Sequence, residues 1–128
     1  MPAPADYVFS DAVKTTANTG VRDAIDGGAG AGVLNIYDAS DNLLVAITLD
    51  DPCGTVSSGG QLTITATSAG TAIADGTASW GEFTDSTGTW VLQAPVAAGA
   101  SAVSGDIVLS SIAIVTGAEL TLVSATVG

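Results

Sequence analysis

The chain has 128 residues with thirteen Asp or Glu, two basic residues (Lys14 and Arg22) and no His, a formal net charge of −11. Binding to nucleic acid or to anionic membranes depends on Lys and Arg displacing counterions, so neither is expected as a partner. The missing histidine removes the usual base of Ser-His and Cys-His catalysis, and the length fits one domain with one core.

Hydrophobic residues make up 47% of the chain but aromatics only 5%. The core is therefore expected to be thin and aliphatic, with Tyr7, Phe9, Tyr37, Trp80, Phe83 and Trp90 as its large anchors. Cys53 is the one cysteine, so no intrachain disulfide forms and assembly in a reducing compartment is favoured. Met1–Asp6 lacks the basic and apolar regions of a secretory signal, and no stretch approaches the roughly 20 apolar residues of a membrane span, so a soluble chain not exported by the usual route is expected.

Residues 1–9 read as an N-terminal arm. From Ser10 to Ile25, Val13, Ala17, Val21, Ala24 and Ile25 recur at three or four positions, which predicts a helix over residues 10–26 with one sheltered stripe. Ser10 or Asp11 caps its start, and Gly20 marks a place where it would break. The run from Gly27 to Gly32 is a loop leading into a β region over residues 33–127.

Val33–Tyr37 and Leu43–Leu49 flank the polar run Asp38–Asn42 and predict a hairpin. Leu43, Val45, Ile47 and Leu49 share the face expected to enter the core. Asp50-Asp51-Pro52 ends that strand, and Ser57–Gly60 extends the break. Further strands are predicted at Gln61–Thr67, Gly76–Phe83, Thr89–Gln93, Asp106–Leu109 and Glu119–Val127. Asp85–Gly88 joins two of them in a second hairpin, with Trp80 facing inward beside Ala78. Ala94–Ala102 lacks alternation and reads as a long surface loop. This cadence predicts a mainly β fold, an antiparallel β-sandwich or jelly-roll-like barrel with a short N-terminal helix.

Chemistry is sparse. Cys53 lies between Pro52 and Gly54 with no cation nearby in sequence, so it is read as unreactive. Glu82, Glu119, Asp50 and Asp51 are the candidate carboxylates for glycoside hydrolysis, but such a site also needs a cleft with aromatic platforms and polar groups, whereas the polar supply here is mostly Ser and Thr on expected surface strands. Asp38 with Asp41, and Asp50 with Asp51, offer oxygen ligands for Ca²⁺ or Mg²⁺. Neither pair follows a known calcium-loop order, and turn residues that bond their own backbone are the better reading. The glycines between Gly27 and Gly32 follow a helix and precede a strand, the reverse of a phosphate-binding loop. No catalytic residue, cofactor site or metal site is therefore assigned.

Two stretches resemble small bacteriophage and prophage virion proteins encoded among head and tail genes. The first is Val21–Gly28 continuing through Gly32–Asp38, Leu43–Leu49 and Pro52. The second is Ala74–Gly88 followed by Ser104–Leu109, with the terminal strand Leu120–Thr126 extending the likeness over most of the chain. Gly81 departs from the pattern, where a bulkier or charged residue is expected. The resemblance implies a non-enzymatic capsid cement or decoration protein on the virion surface, assembled in the bacterial host cytoplasm. It would bind the major capsid protein and copies of itself, as a dimer or trimer, with no nucleic acid and no membrane as partner. A neck, tail-completion or tail-tube protein and a glycan-binding β domain are the alternatives. Met1–Phe9 and Ala94–Ser101 are the segments expected to contact neighbouring chains.

Overall fold

In the computed structural model, which describes residues 9–99 and 106–127, helix α1 spans Asp11–Ile25. Ser10 holds extended backbone, and its Oγ accepts from the Val13 N–H at 3.2 Å, satisfying one of the free amides of the first turn. The helix runs unbroken through Gly20. A glycine inside a helix lowers its stability without ending it, and here tertiary packing on both sides of Gly20 outweighs that cost.

The buried stripe of α1 differs from the expected one. Asn18 and Ile25 are buried and Val21 is half-buried, whereas Val13, Ala17 and Ala24 are exposed. The Asn18 side-chain amide donates to the carbonyl oxygens of Gly60 and, at 3.1 Å, of Val127. Buried carbonyls need donors, so this amide turns inward and rotates the apolar stripe of Val13 and Ala17 away from the core.

The described strands are β1 (Val33–Tyr37), β2 (Leu43–Thr48), β3 (Gly54–Val56), β4 (Leu62–Ile64), β5 (Gly70–Thr71) and β6 (Gly76–Thr77). They continue with β7 (Trp80–Thr84), β8 (Trp90–Ala98), β9 (Ile107–Leu109), β10 (Ala113–Ile114), β11 (Glu119–Leu120) and β12 (Leu122–Val127). Eight form one sheet in the order β2-β1-β7-β8-β9-β12-β4-β3, while β10 pairs with β6 and β11 with β5. The protein is thus mainly β with one N-terminal helix.

Two expectations are corrected by β8. The segment expected as a loop from Ala94 is strand as far as Ala98, with residues 100–102 of that loop outside the described residues. Trp90–Pro95 pairs with β7, and Val96–Ala98 pairs in parallel with β9, so the sheet is mixed rather than wholly antiparallel. Pro95 stands where β8 changes partner, a place that tolerates a residue with no N–H to donate. Lack of alternation in Ala94–Ala98 follows from the same changeover, because the two halves of the strand serve different neighbours.

The sheet curls until its halves face each other. A Cβ built on Gly81 of β7 would lie 2.7 Å from Ile107 Cδ1 of β9, two strands away, and 3.1 Å from Ile36 Cδ1. This position therefore has no room for the bulkier or charged residue expected there. Leu34, Ile36, Val45, Ile47, Phe83, Leu62, Ile64, Ile107, Leu109 and Leu122 fill the space between, and Ile25 and Cys53 join the same cluster. Leu44 is also buried, against the expected alternation. A register shift sets Ile36 opposite Val45 but Tyr37 opposite Leu43, leaving Leu44 to turn under Gly76.

Three hairpins share one loop geometry. In Asp38–Asn42, Ser57–Gln61 and Asp85–Thr89, the first N–H bonds the fifth carbonyl at 3.1, 2.8 and 3.0 Å. The fourth N–H returns to the first carbonyl at 3.1, 2.9 and 3.1 Å, and the fourth residue holds positive φ: Asp41 at 66°, Gly60 at 85° and Gly88 at 91°. Asp38, Ser57 and Asp85 each use a side-chain oxygen to accept the fifth residue's N–H. This is the three-residue hairpin closed by a left-handed residue, and it fixes strand register.

Candidate functional site

The residues singled out for chemistry fall apart in space. Cys53 is fully buried, and burial, helped by the neighbouring Asp26 charge, pushes its thiol up to about 12. Its N–H donates to Asp26 Oδ1 at 2.9 Å, so the acid serves as a helix-end anchor for the Cys53 backbone. A thiol so placed supplies no thiolate near neutrality.

The carboxylates likewise have structural partners. Asp38 accepts from the Ser40 and Asn42 N–H groups at 2.9 Å each. Asp50 accepts from Thr65 Oγ1 and the Thr67 N–H at 2.8 Å each, tying the end of β2 to the segment after β4. Asp75 accepts from the Thr116 hydroxyl at 2.8 Å and from its N–H at 2.6 Å, joining the loops of the two small strand pairs. Asp85 accepts from the Thr87 and Thr89 N–H groups at 2.9 and 3.0 Å. Hydrogen bonds to the ionised form hold Asp38, Asp50, Asp75 and Asp85 below the ordinary carboxylate range, donated chiefly by Asn42, Thr67, Thr116 and Thr87.

Glu82 lies on β7 and accepts from Gln93 Nε2 at 3.1 Å, whereas Glu119 lies on β11 and Asp50 with Asp51 beyond β2. The four form no paired-carboxylate site. Among the described residues no group of three or more His, Cys, Asp or Glu could hold a metal ion. Gly28 and Gly30 approach Ser86 in the β7–β8 turn, with the Gly30 N–H donating to Ser86 Oγ at 3.4 Å. The glycine run is a tight connector between helix and strand.

What remains for recognition is surface. Of the six aromatics expected in the core, Phe83 alone among those described is buried; Phe9 and Trp90 are exposed, and Tyr7 lies outside the described residues. Trp80 is half-buried on the outer face of the sheet, stacked on Tyr37 with ring centroids 4.4 Å apart, and its Nε1 donates to Asp41 Oδ1 at 3.1 Å. Glu82 has the same parity as Trp80, and Gly81 that of Phe83, so a strand that buries Phe83 must turn Trp80 outward. That parity was the signal available in the sequence. Asn35, Glu82 and Gln93 occupy the next cross-strand row, beside the Tyr37–Trp80–Pro95 row.

A second surface lies on α1. Phe9, Val13, Lys14, Ala17, Asn18 and Val127 line a cavity of about 220 Å³ between the helix and the end of β12. Phe9 and Val13 are 63% and 50% exposed. Both cations of the chain lie on this helix, Lys14 3.7 Å from Asp11 and Arg22 3.2 Å from Asp23.

Comparison with known protein families, with curated proteins and with solved structures finds no match. No helix of the described residues is long and apolar enough to cross a membrane.

Proposed function

We propose that this chain is a non-enzymatic structural protein of a bacteriophage virion, a cement protein that binds the outer surface of the head shell. It would tie neighbouring major capsid subunits together and associate with copies of itself. The observation that carries this reading is the use made of the polar groups. Asp38, Asp50, Asp75 and Asp85 brace loops, and Cys53 is buried with its thiol protonated. These five groups are thereby held in structural roles, while apolar side chains such as Phe9, Val13 and Trp90 stay exposed on an otherwise acidic surface. Exposed apolar patches serve adhesion to other surfaces, and a strong net negative charge keeps a free accessory protein soluble and away from packaged nucleic acid.

Cosedimentation with shells stripped of accessory proteins tests the reading. Saturable binding at a stoichiometry proportional to shell subunits is expected. Binding only to neck or tail fractions, at one ring per particle, would transfer the protein to that class.

One observation favours a second reading, a glycan-binding β domain. The Tyr37–Trp80 pair stands on the outer sheet face beside Asn35, Glu82 and Gln93, a mixture of aromatic and planar polar groups. With no cation on that face, the ligand would be a neutral sugar. Titration calorimetry with neutral oligosaccharides decides it: saturable heats lost in Trp80→Ala support the sugar reading, and their absence removes it.

A further inference from the structure

We infer that the outward face of α1 is the surface through which two copies of this chain pair. The inference deepens the self-association part of the function proposed above and rests on it; it does not depend on the head shell.

Within α1 two acids meet two cations, so the helix is formally neutral, while the other eleven acidic residues lie outside it with no cation among them. Two identical molecules of net charge −11 repel each other over most of their surfaces. Opposed copies of α1 bring no net helix charge into contact. Apolar exposure falls on the same element. Val13, Ala17, Gly20 and Ala24 recur at three- and four-residue spacing, so they share one side of the helix, and all four are exposed; Phe9, exposed as well, stands just before the Ser10 cap. Ala17 and Ala24 are small and exposed, and nothing lies within 4 Å of a Cβ built on Gly20, so a second helix can approach closely.

Shape completes it. A two-fold interface must be self-complementary, with a projecting group and a recess on the same patch. Phe9 is 63% exposed and forms one wall of the cavity of about 220 Å³, with Val13, Ala17 and Val127 as its apolar floor. An apolar cavity of roughly 150 Å³ already accepts a benzene-sized ring, so this recess has room for the Phe9 ring of a second copy. A contact confined to one helix face falls below the roughly 800 Å² per partner of a standard interface, so a weak dimer in the micromolar range is expected.

Sedimentation equilibrium on the purified chain tests this, run at about 0.1 M and about 1 M salt, where the Debye length falls from roughly 10 Å to roughly 3 Å. A monomer–dimer equilibrium is expected whose dissociation constant falls as salt rises, because screening removes the repulsion between like-charged bodies. Val13→Asp should weaken pairing at least tenfold and Phe9→Ala measurably, with far-UV circular dichroism unchanged because both side chains are exposed. Trp90→Ser, on a separate exposed site, should pair like the parent. A parent chain that stays monomeric at millimolar concentration in both salts would overturn the inference together with the self-association reading. A dimer indifferent to Val13→Asp and Phe9→Ala would overturn this surface alone and leave self-association standing.

Discussion

Gly88 holds φ 91° in the β7–β8 turn, and nothing lies within 4 Å of a Cβ built there. Gly88→Ala therefore isolates the cost of left-handed backbone, about 1–2 kcal/mol, to be read from urea denaturation; an unchanged midpoint would mean that the turn does not need that conformation. Trp80 and Phe83 separate outer from inner face in the same strand. Trp80→Ala removes one stacking contact and one hydrogen bond and should cost about 1–2 kcal/mol. Phe83→Ala empties part of the core and should cost about 3–5 kcal/mol. Equal costs for the two would contradict the facing assigned to β7. The turn acids predict a pH response. Carboxyls of Asp38, Asp50, Asp75 and Asp85 are held below the ordinary value of 3.8, so their stabilising bonds are complete above that value and are lost as pH falls beneath it through the folded-state values. Tm should fall across that window, and Asp75→Asn should flatten the fall; an undiminished slope in that variant would exclude Asp75 as a contributor.

Elements differed in how far the sequence disclosed them. The hairpin of β1 and β2 was legible because a polar five-residue run separates two apolar ones, and the capped start of α1 because Ser10 precedes the periodic stretch. Strands β3, β5 and β10 were not, since two or three residues among glycine and serine carry no alternation. They exist because neighbouring strands supply their hydrogen bonds. The rotation of α1 was hidden for a similar reason. Asn18 looks like a surface residue until the Gly60 and Val127 carbonyls, far away in sequence, are brought to it. The same rotation placed Val13 and Ala17 on the outside, so the surface proposed for pairing followed from a tertiary contact that no local pattern encodes. Gly81 belongs with these cases, its size being set by Ile107 across the curled sheet. Gly81→Val should cost about 1–3 kcal/mol by overpacking, and partial rescue by Ile107→Ala in a double-mutant cycle would identify that contact as the cause; additive losses would refute it.

At the scale of the whole molecule, a curled sheet and one helix enclose an aliphatic core, and both ends of the described sheet order are shielded. Strand β2 receives the Ile73 N–H at its Leu44 carbonyl, at 2.8 Å, and β3 lies against α1. Covered edges limit open-ended strand pairing, which leaves faces rather than edges for contact with other proteins. The acidic surface favours a partner that is neutral or basic, and raises the ionic-strength dependence of any encounter. The proposed cement role would join these properties: loops braced by their own acids, a buried thiol, and an apolar helix face on a charged body. A cryo-EM map of particles carrying the protein tests that role most directly. The account expects density for this fold on the outside of the shell, bridging adjacent major capsid subunits in many copies. Particles lacking the protein on the shell, or holding it only as a ring at the neck or tail, would contradict it.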